Sequence, residues 1–241
     1  MTSETTPPDD GWNHSAAAWI AEQGEAGDYG RRFVLDAPMI ARLKDRGFRT
    51  ALDIGCGEGR FCRIMRGLGI AATGIDPTEA LIARARELDP GGDYRLGRAE
   101  TIDDSRYDLV VSYLTLIDIP DIDIAIPRMA AALKPGGTLL VANLTSFNTA
   151  GPAEGWRRDP DGEVRFSIDH YMEDRARWVG WRGIRIVNWH RPLSRYMSLL
   201  LAQGLTLRHF AEPLPQGGDP HKAAAYRRVP YFHIMEWQKP G

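Results

Sequence analysis

From residue 50 onward, short apolar runs alternate with segments whose apolar residues recur every three or four positions. "TALDIG" predicts a short strand, and "GRFCRIMRGLG" follows with Phe61, Ile64, Met65 and Leu68 at helical spacing. "AATGID" predicts a second strand. "PTEALIARARELD" opens with Pro77 at a helix start and carries Glu79 in its first turn. "DYRLGRAE" predicts a third strand. "YDLVVSYLTL" predicts a fourth, nearly continuous in apolar residues, as a strand buried on both faces should be. "DIAIPRMAAALKPGG" predicts a helix ending before Pro135, and "TLLVANL" a fifth strand. Such alternation implies a parallel sheet with helices on both faces.

The flanks read differently. Residues 1 to 11 are polar and proline-bearing, and disorder is expected there. "WNHSAAAWIAEQ" (12 to 23) predicts a short helix broken by "GEAGDYG". "RRFVLDAPMIARLKDRG" (31 to 47) predicts one helix ending at Gly47. After Leu144 the chain turns polar, with Trp156, Trp178 and Trp181, and residues 145 to 182 read as an insertion lying over the sheet. "IRIVNWH" fits a strand and "RPLSRYMSLLLAQG" a helix. "LTLRHFAEP" and "VPYFHIMEWQK" fit two more strands, separated by the loop "LPQGGDPHKAAAYRR".

Composition narrows the function. The chain has 241 residues, 43% of them hydrophobic, enough for one domain with an appendage or two small domains. Thirty basic against 32 acidic residues give a net charge of −2, with no footprint for a nucleic acid. No apolar run approaches a membrane span, and the start lacks the order of a signal peptide, so a cytoplasmic protein is expected. Cys56 and Cys62 read as reduced thiols, and two cysteines without a nearby histidine make no metal site.

The candidate chemistry sits in "ALDIGCGEGRF". Gly55, Gly57 and Gly59 follow the first strand, where a doubly wound sheet binds its ligands. A bare turn lets a ligand approach the main chain, and the next helix offers free N–H groups to an anion. A tight turn without a ligand is the alternative. Arg60 stands where the dinucleotide fingerprint needs Gly or Ala, which disfavours a dehydrogenase. The second strand ends in Asp76, which can take a ribose diol, cap the following helix, or do both.

With these motifs in place, residues 50 to 144 resemble the class I S-adenosylmethionine-dependent methyltransferases. "LDIGCGEGRF", "GIDPTEALIARAR", "GRAETI", "YDLVVSYLTLIDIP" and "LKPGGTLLVANL" match that family's motifs in order and spacing. The resemblance lies nearest the small-molecule branch, which includes quinone-biosynthesis methyltransferases. It implies an α/β fold: a doubly wound, mostly parallel seven-stranded sheet with an antiparallel edge strand, plus a lid insertion. The expected organisation is a helical segment (1–30), a cofactor-binding core (31–144), a lid (145–192) and completion of the sheet (193–241). S-adenosylmethionine is the implied cofactor. Asp53, Gly55, Cys56 and Gly57 would hold its methionine moiety, with Arg31 or Arg32 at the carboxylate. Asp76 would take the ribose, with Ile75 and Pro77 against the adenosine. Ala99 and Glu100 would lie at the adenine, where many relatives carry Asp in place of Arg98. Ser112 and Tyr113 would border the sulfonium.

The amide- and adenine-methylating tetrapeptide is absent after the fourth strand, where "SYLT" stands, and no Pro-Cys nucleophile is present. A small-molecule acceptor is therefore expected, methylated on O or N, a carboxylate included; a homodimer stays open. His190 is the first candidate for a general base, followed by His170 and Tyr171, with Tyr113 at the reacting centre. Structural roles for these residues are the alternative. The tryptophans can floor a flat acceptor or pack the lid, and the nine arginines between 157 and 195 can hold a carboxylate or pair with interleaved acids. Two readings compete with the enzyme: a catalytically silent cofactor-binding protein, and an oxidoreductase on the same fold.

Overall fold

The structure, a computed structural model, describes residues 10–24, 26–102, 107–151 and 155–241. The disorder expected for the first residues falls almost wholly outside that range.

Five strands follow the predicted alternation: β1 (Thr50–Ile54), β2 (Ala71–Asp76), β3 (Asp93–Leu96), β4 (Tyr107–Tyr113) and β5 (Leu133–Leu144). They are joined by α3 (Arg60–Gly67), α4 (Glu79–Leu88) and α5 (Ile122–Ala131), and all five run parallel. β10 (Thr206–Ala211) and β11 (Phe232–Gln238) complete a seven-stranded sheet of order β10-β11-β5-β4-β1-β2-β3. β11 runs antiparallel to both its neighbours, which gives the sheet its antiparallel edge pair. Side chains alternate across the pleat, so each strand feeds two cores. On β4, Val110 joins the layer under α5 and α7 (Leu193–Ala202), while Leu109, Val111 and Tyr113 join the layer under α3.

Two elements depart from the sequence reading. Residues 31 to 47 do not make one helix. A π-helical turn (Arg31–Leu35) leads into the short α2 (Asp36–Ala41). Pro38 has no N–H to return to the preceding turn. The Phe33 carbonyl instead takes the Gln216 N–H at 2.7 Å. The loop before the last strand contains α8 (Pro220–Arg228), capped by Asp219, whose Oδ1 accepts from the N–H groups of His221 (2.8 Å) and Lys222 (3.0 Å). Only Ala223 of α8 is buried, so its apolar pattern is faint.

The insertion holds α6 (Ser146–Ala150) and two antiparallel hairpins, β6 (Trp156–Arg158) with β7 (Val164–Phe166), and β8 (Arg175–Trp181) with β9 (Ile184–His190). β9 is tied to the loop after β4. Trp189 N–H donates to the Ile117 carbonyl at 2.6 Å, and Arg191 donates to the carbonyls of Leu116, Ile119 and Pro120. The N-terminal helix α1 (Trp12–Gln23) docks on the same hairpin. Ser15 Oγ accepts from Arg185 N–H (2.9 Å) and donates to Arg185 O (3.0 Å), while Val187 N–H donates to Asp10 O. A Cβ at Gly11 would collide with Arg185 O, so only glycine permits this approach. α1 places Trp19 beside the turn that follows β1. The insertion braces it from behind.

Candidate active site

The cleft lies where β1 and β4 diverge, a switch point of the strand order. It measures about 990 Å³ including its open mouth. Its floor is the turn after β1. Gly55, Gly57 and Gly59 all have positive φ. Gly57 (φ +55°) faces the cleft: a Cβ there would have only Trp19 Nε1 near it, 4.0 Å away. The turn is thus held bare on the ligand side and roofed by α1.

Asp53 is 1% exposed at the head of this turn. Its Oδ2 accepts from the Cys62 thiol at 3.4 Å, and its Oδ1 has no partner among the described residues. Burial raises its pKa from 3.8 to about 7. Asp76, at the end of β2, accepts from Gly57 N–H (3.0 Å) through Oδ2 and from Thr78 N–H (2.8 Å) through Oδ1. It therefore fixes the glycine turn and starts the next helix at once. A carboxylate has about four acceptor positions, so a diol can still be received. Burial raises the Asp76 pKa as well.

Among the described residues, six carboxylates line the cleft (Asp10, Asp53, Glu58, Asp76, Glu100, Asp118) against three arginines (Arg31, Arg60, Arg98). Such a lining favours a cationic ligand. The ammonium and sulfonium of S-adenosylmethionine fit it, and the unpartnered Asp53 oxygen fits the ammonium in particular.

Of the residues expected from sequence, Arg31, Asp53, Gly55, Cys56, Gly57, Asp76, Pro77, Ala99, Glu100 and Tyr113 all line this cleft. Arg31 stacks between Trp19 (5.0 Å) and Tyr113 (5.7 Å) and pairs with Asp28 at 2.7 Å, whereas Arg32 stacks on Phe33 away from the cleft. The Cys56 thiol is pushed up despite its bond with Cys62, by burial and the nearby carboxylates, and serves as a neutral wall.

Other residues expected from sequence do not line the cleft. Ser112 is buried on the opposite pleat from Tyr113 and does not reach the cleft. His190 does not line it either: its Nδ1 meets Thr149 Oγ1 at 2.7 Å and its Nε2 meets the Tyr171 carbonyl at 3.0 Å. Both nitrogens are committed in a buried site, and burial lowers its pKa. Tyr171 packs on His190 and accepts from Leu193 N–H, also outside the cleft. His170 and the insertion's Trp178 and Trp181 lie outside it too.

Sequence reading missed part of the lining. Trp12 and Trp19 sit seven residues apart on one face of α1 and pack edge to face at 5.0 Å. Behind the lining, Asp36 receives a bidentate Arg60 and the Tyr113 hydroxyl (2.9 Å), joining three distant segments. Asp118 faces the cleft from the loop after β4. Its Oδ1 accepts from Asn188 Nδ2 at 2.5 Å, and burial pushes its pKa well up. The i, i+7 tryptophans were a readable signal; nothing local marked Asp36 or Asp118.

Residues 52–141 match the family model described as a methyltransferase domain. The ubiquinone biosynthesis O-methyltransferase of Bradyrhizobium diazoefficiens is 37% identical over 110 residues, 44% of this chain and 44% of that protein. The chain thus aligns with less than half the length of this curated relative. A crystal structure of an S-adenosylmethionine-dependent methyltransferase from Mesorhizobium loti superposes with a TM-score of 0.76 at 26% identity, covering 90% of this chain and all of the other. The CcbJ methyltransferase of Streptomyces caelestis shares the fold, with a TM-score of 0.65 at 18% identity over 98% and 100% of the two chains. Residues 52–141 thus resemble a methyltransferase domain, and the similar methyltransferases indicate S-adenosylmethionine as the cofactor. Among the described residues no helix is long and apolar enough to cross a membrane, and no cluster of side chains could hold a metal.

Proposed function

We propose that the protein transfers a methyl group from S-adenosylmethionine to an oxygen or nitrogen of a small, flat acceptor, a carboxylate oxygen included. The observation that carries this reading is the bare Gly57 turn beside a buried carboxylate with one unpartnered oxygen. Similarity to an O-methyltransferase favours oxygen.

Asp53 would receive the cofactor's ammonium and Arg31 its carboxylate. Asp76 would take the ribose hydroxyls, while Pro77, Leu81 and Ala99 pack the adenosine. Arg98 has no acceptor to offer the adenine amine, so that role falls to Glu100. The cofactor supplies an electrophilic methyl group at its sulfonium. The chain's own part is to place the acceptor in line and to exclude water. Trp12, Trp19, Phe61 and Tyr113 form an aromatic lining suited to a planar acceptor. Tyr113 donates to Asp36, which orients its hydroxyl rather than ionising it, and its pKa is raised by burial. Asp118 is the cleft group suited to take the acceptor's proton, because its burial raises its affinity for one.

The test is methyl transfer from labelled S-adenosylmethionine to a panel of phenols, amines, thiols and carboxylic acids. We expect turnover on a planar phenol or acid, and Asp118→Asn should slow it by about 100-fold or more. Cofactor binding without turnover on any acceptor would favour the silent binding protein instead.

A further inference from the structure

The nine arginines between 157 and 195 divide into two groups. Arg165 pairs with Asp159 and Asp161, Arg182 with Glu22, and Arg195 with Asp123 and Asp174. Arg158 donates to the Gly162 carbonyl, Arg185 stacks on Trp178, and Arg191 is buried on three carbonyls. Like Arg158, Arg185 and Arg191, the other three, Arg157, Arg175 and Arg177, have no carboxylate partner among the described residues. All three line one recess of the insertion, together with His170 and Ser167.

The two hairpins build this convergence. Arg175 and Arg177 lie two residues apart on β8 and so share a face. Arg157 arrives from β6. Arg175 Nη2 donates to the carbonyls of Ala150 (3.1 Å) and Asp169 (2.9 Å). Arg177 Nη1 donates to those of Thr149 and Gly151. These bonds fix both guanidinium groups and leave further N–H donors on each, since a guanidinium carries five. Among the described residues the recess has one carboxylate, Asp169, which lies against His170, at 3.6 Å from Nε2. His170 also meets Glu173 at 2.8 Å, and these acids raise its pKa, favouring the imidazolium. Burial and the charge of Arg175 lower the Arg177 pKa, the mark of a cation lacking its counter-charge.

We propose that this recess binds a small oxyanion, a phosphate monoester or a carboxylate, between Arg157, Arg175 and Arg177. It shares no lining residue with the cofactor cleft, so the ligand is distinct from S-adenosylmethionine. Planar forks converging from two hairpins match the bidentate geometry of such anions.

The experiment is calorimetric titration of the full chain with inorganic phosphate and, separately, with succinate. Saturable binding of at least one is expected, and the tighter of the two names the source. The Arg157 side chain makes no hydrogen bond or ion pair among the described residues, so Arg157→Glu should keep the parental thermal midpoint and S-adenosylhomocysteine affinity. It should weaken the anion by about tenfold or more, while Arg157→Lys retains part of the affinity. Arg157→Ala serves if the charge reversal fails to fold. Absence of saturable binding for both anions, or binding that a folded Arg157 variant leaves unchanged, overturns the proposal.

Discussion

Asp53→Asn should make the protein more stable while destroying its cofactor site. Asp53 is 1% exposed, and its folded-state pKa rises from 3.8 to about 7 because burial disfavours its charge. In the unfolded chain the carboxyl ionises near 3.8. Below that value both states hold the proton, and Asp53 costs nothing. As pH rises through 3.8 toward 7, the unfolded state releases its proton first and the fold loses stability. Above pH 7 the loss is complete and amounts to about 4 kcal/mol. Asparagine keeps the shape without the charge. Urea denaturation without cofactor should therefore show a gain approaching 4 kcal/mol at pH 8, under 2 kcal/mol at pH 5. S-adenosylhomocysteine binding should meanwhile be lost, because the amide cannot pair with the ammonium. A variant less stable than the parent, or a gain independent of pH, would refute the argument that burial of this charge is tolerated for the ligand's sake.

Other outcomes follow from the same geometry. Asp76→Ala should weaken S-adenosylhomocysteine by about 1.5 to 3 kcal/mol in calorimetry, since it removes acceptors for the ribose and the brace on Gly57 N–H. Trp19→Ala should cost about 1 to 2 kcal/mol in the same assay by removing the roof over the turn and the face under Arg31; unchanged affinity would mean that α1 is no cover. Ser15→Ala should speed amide hydrogen exchange in α1 and leave that of β1 and β4 unchanged. Cofactor affinity should rise with pH until Asp53 is ionised near 7 and then level off, as a pH series of titrations would read.

Much of the fold was legible because it is written locally. The apolar run of β4 and the glycine turn after β1 each signal within a dozen residues. The floor of the cleft comes from strand ends, so much of its lining was legible too. The cover was not. α1 is rich in alanine and weakly patterned, and its anchor is the Ser15 hydroxyl on the Arg185 backbone, which no periodicity reveals. For His190 the structure favours the structural role that was the alternative to a general base. Along β9, Ile184, Ile186, Asn188 and His190 share one pleat, yet Val187 on the other pleat is buried as well, so alternation alone did not place His190. Asp36, Arg60 and Tyr113 meet across 77 residues of chain, which only the tertiary structure could bring together.

The central claim is that the acidic cleft under α1 takes the sulfonium cofactor through the Gly57 turn. Calorimetry of the parent chain and Gly57→Val with S-adenosylhomocysteine, NAD and NADP tests it most directly. At Gly57 the backbone is left-handed, and a branched side chain there would stand in the ligand's space. The account predicts one-to-one binding of S-adenosylhomocysteine by the parent, none by the folded variant, and no binding of either dinucleotide. Equal affinity in the two proteins, or preference for a dinucleotide, would contradict it.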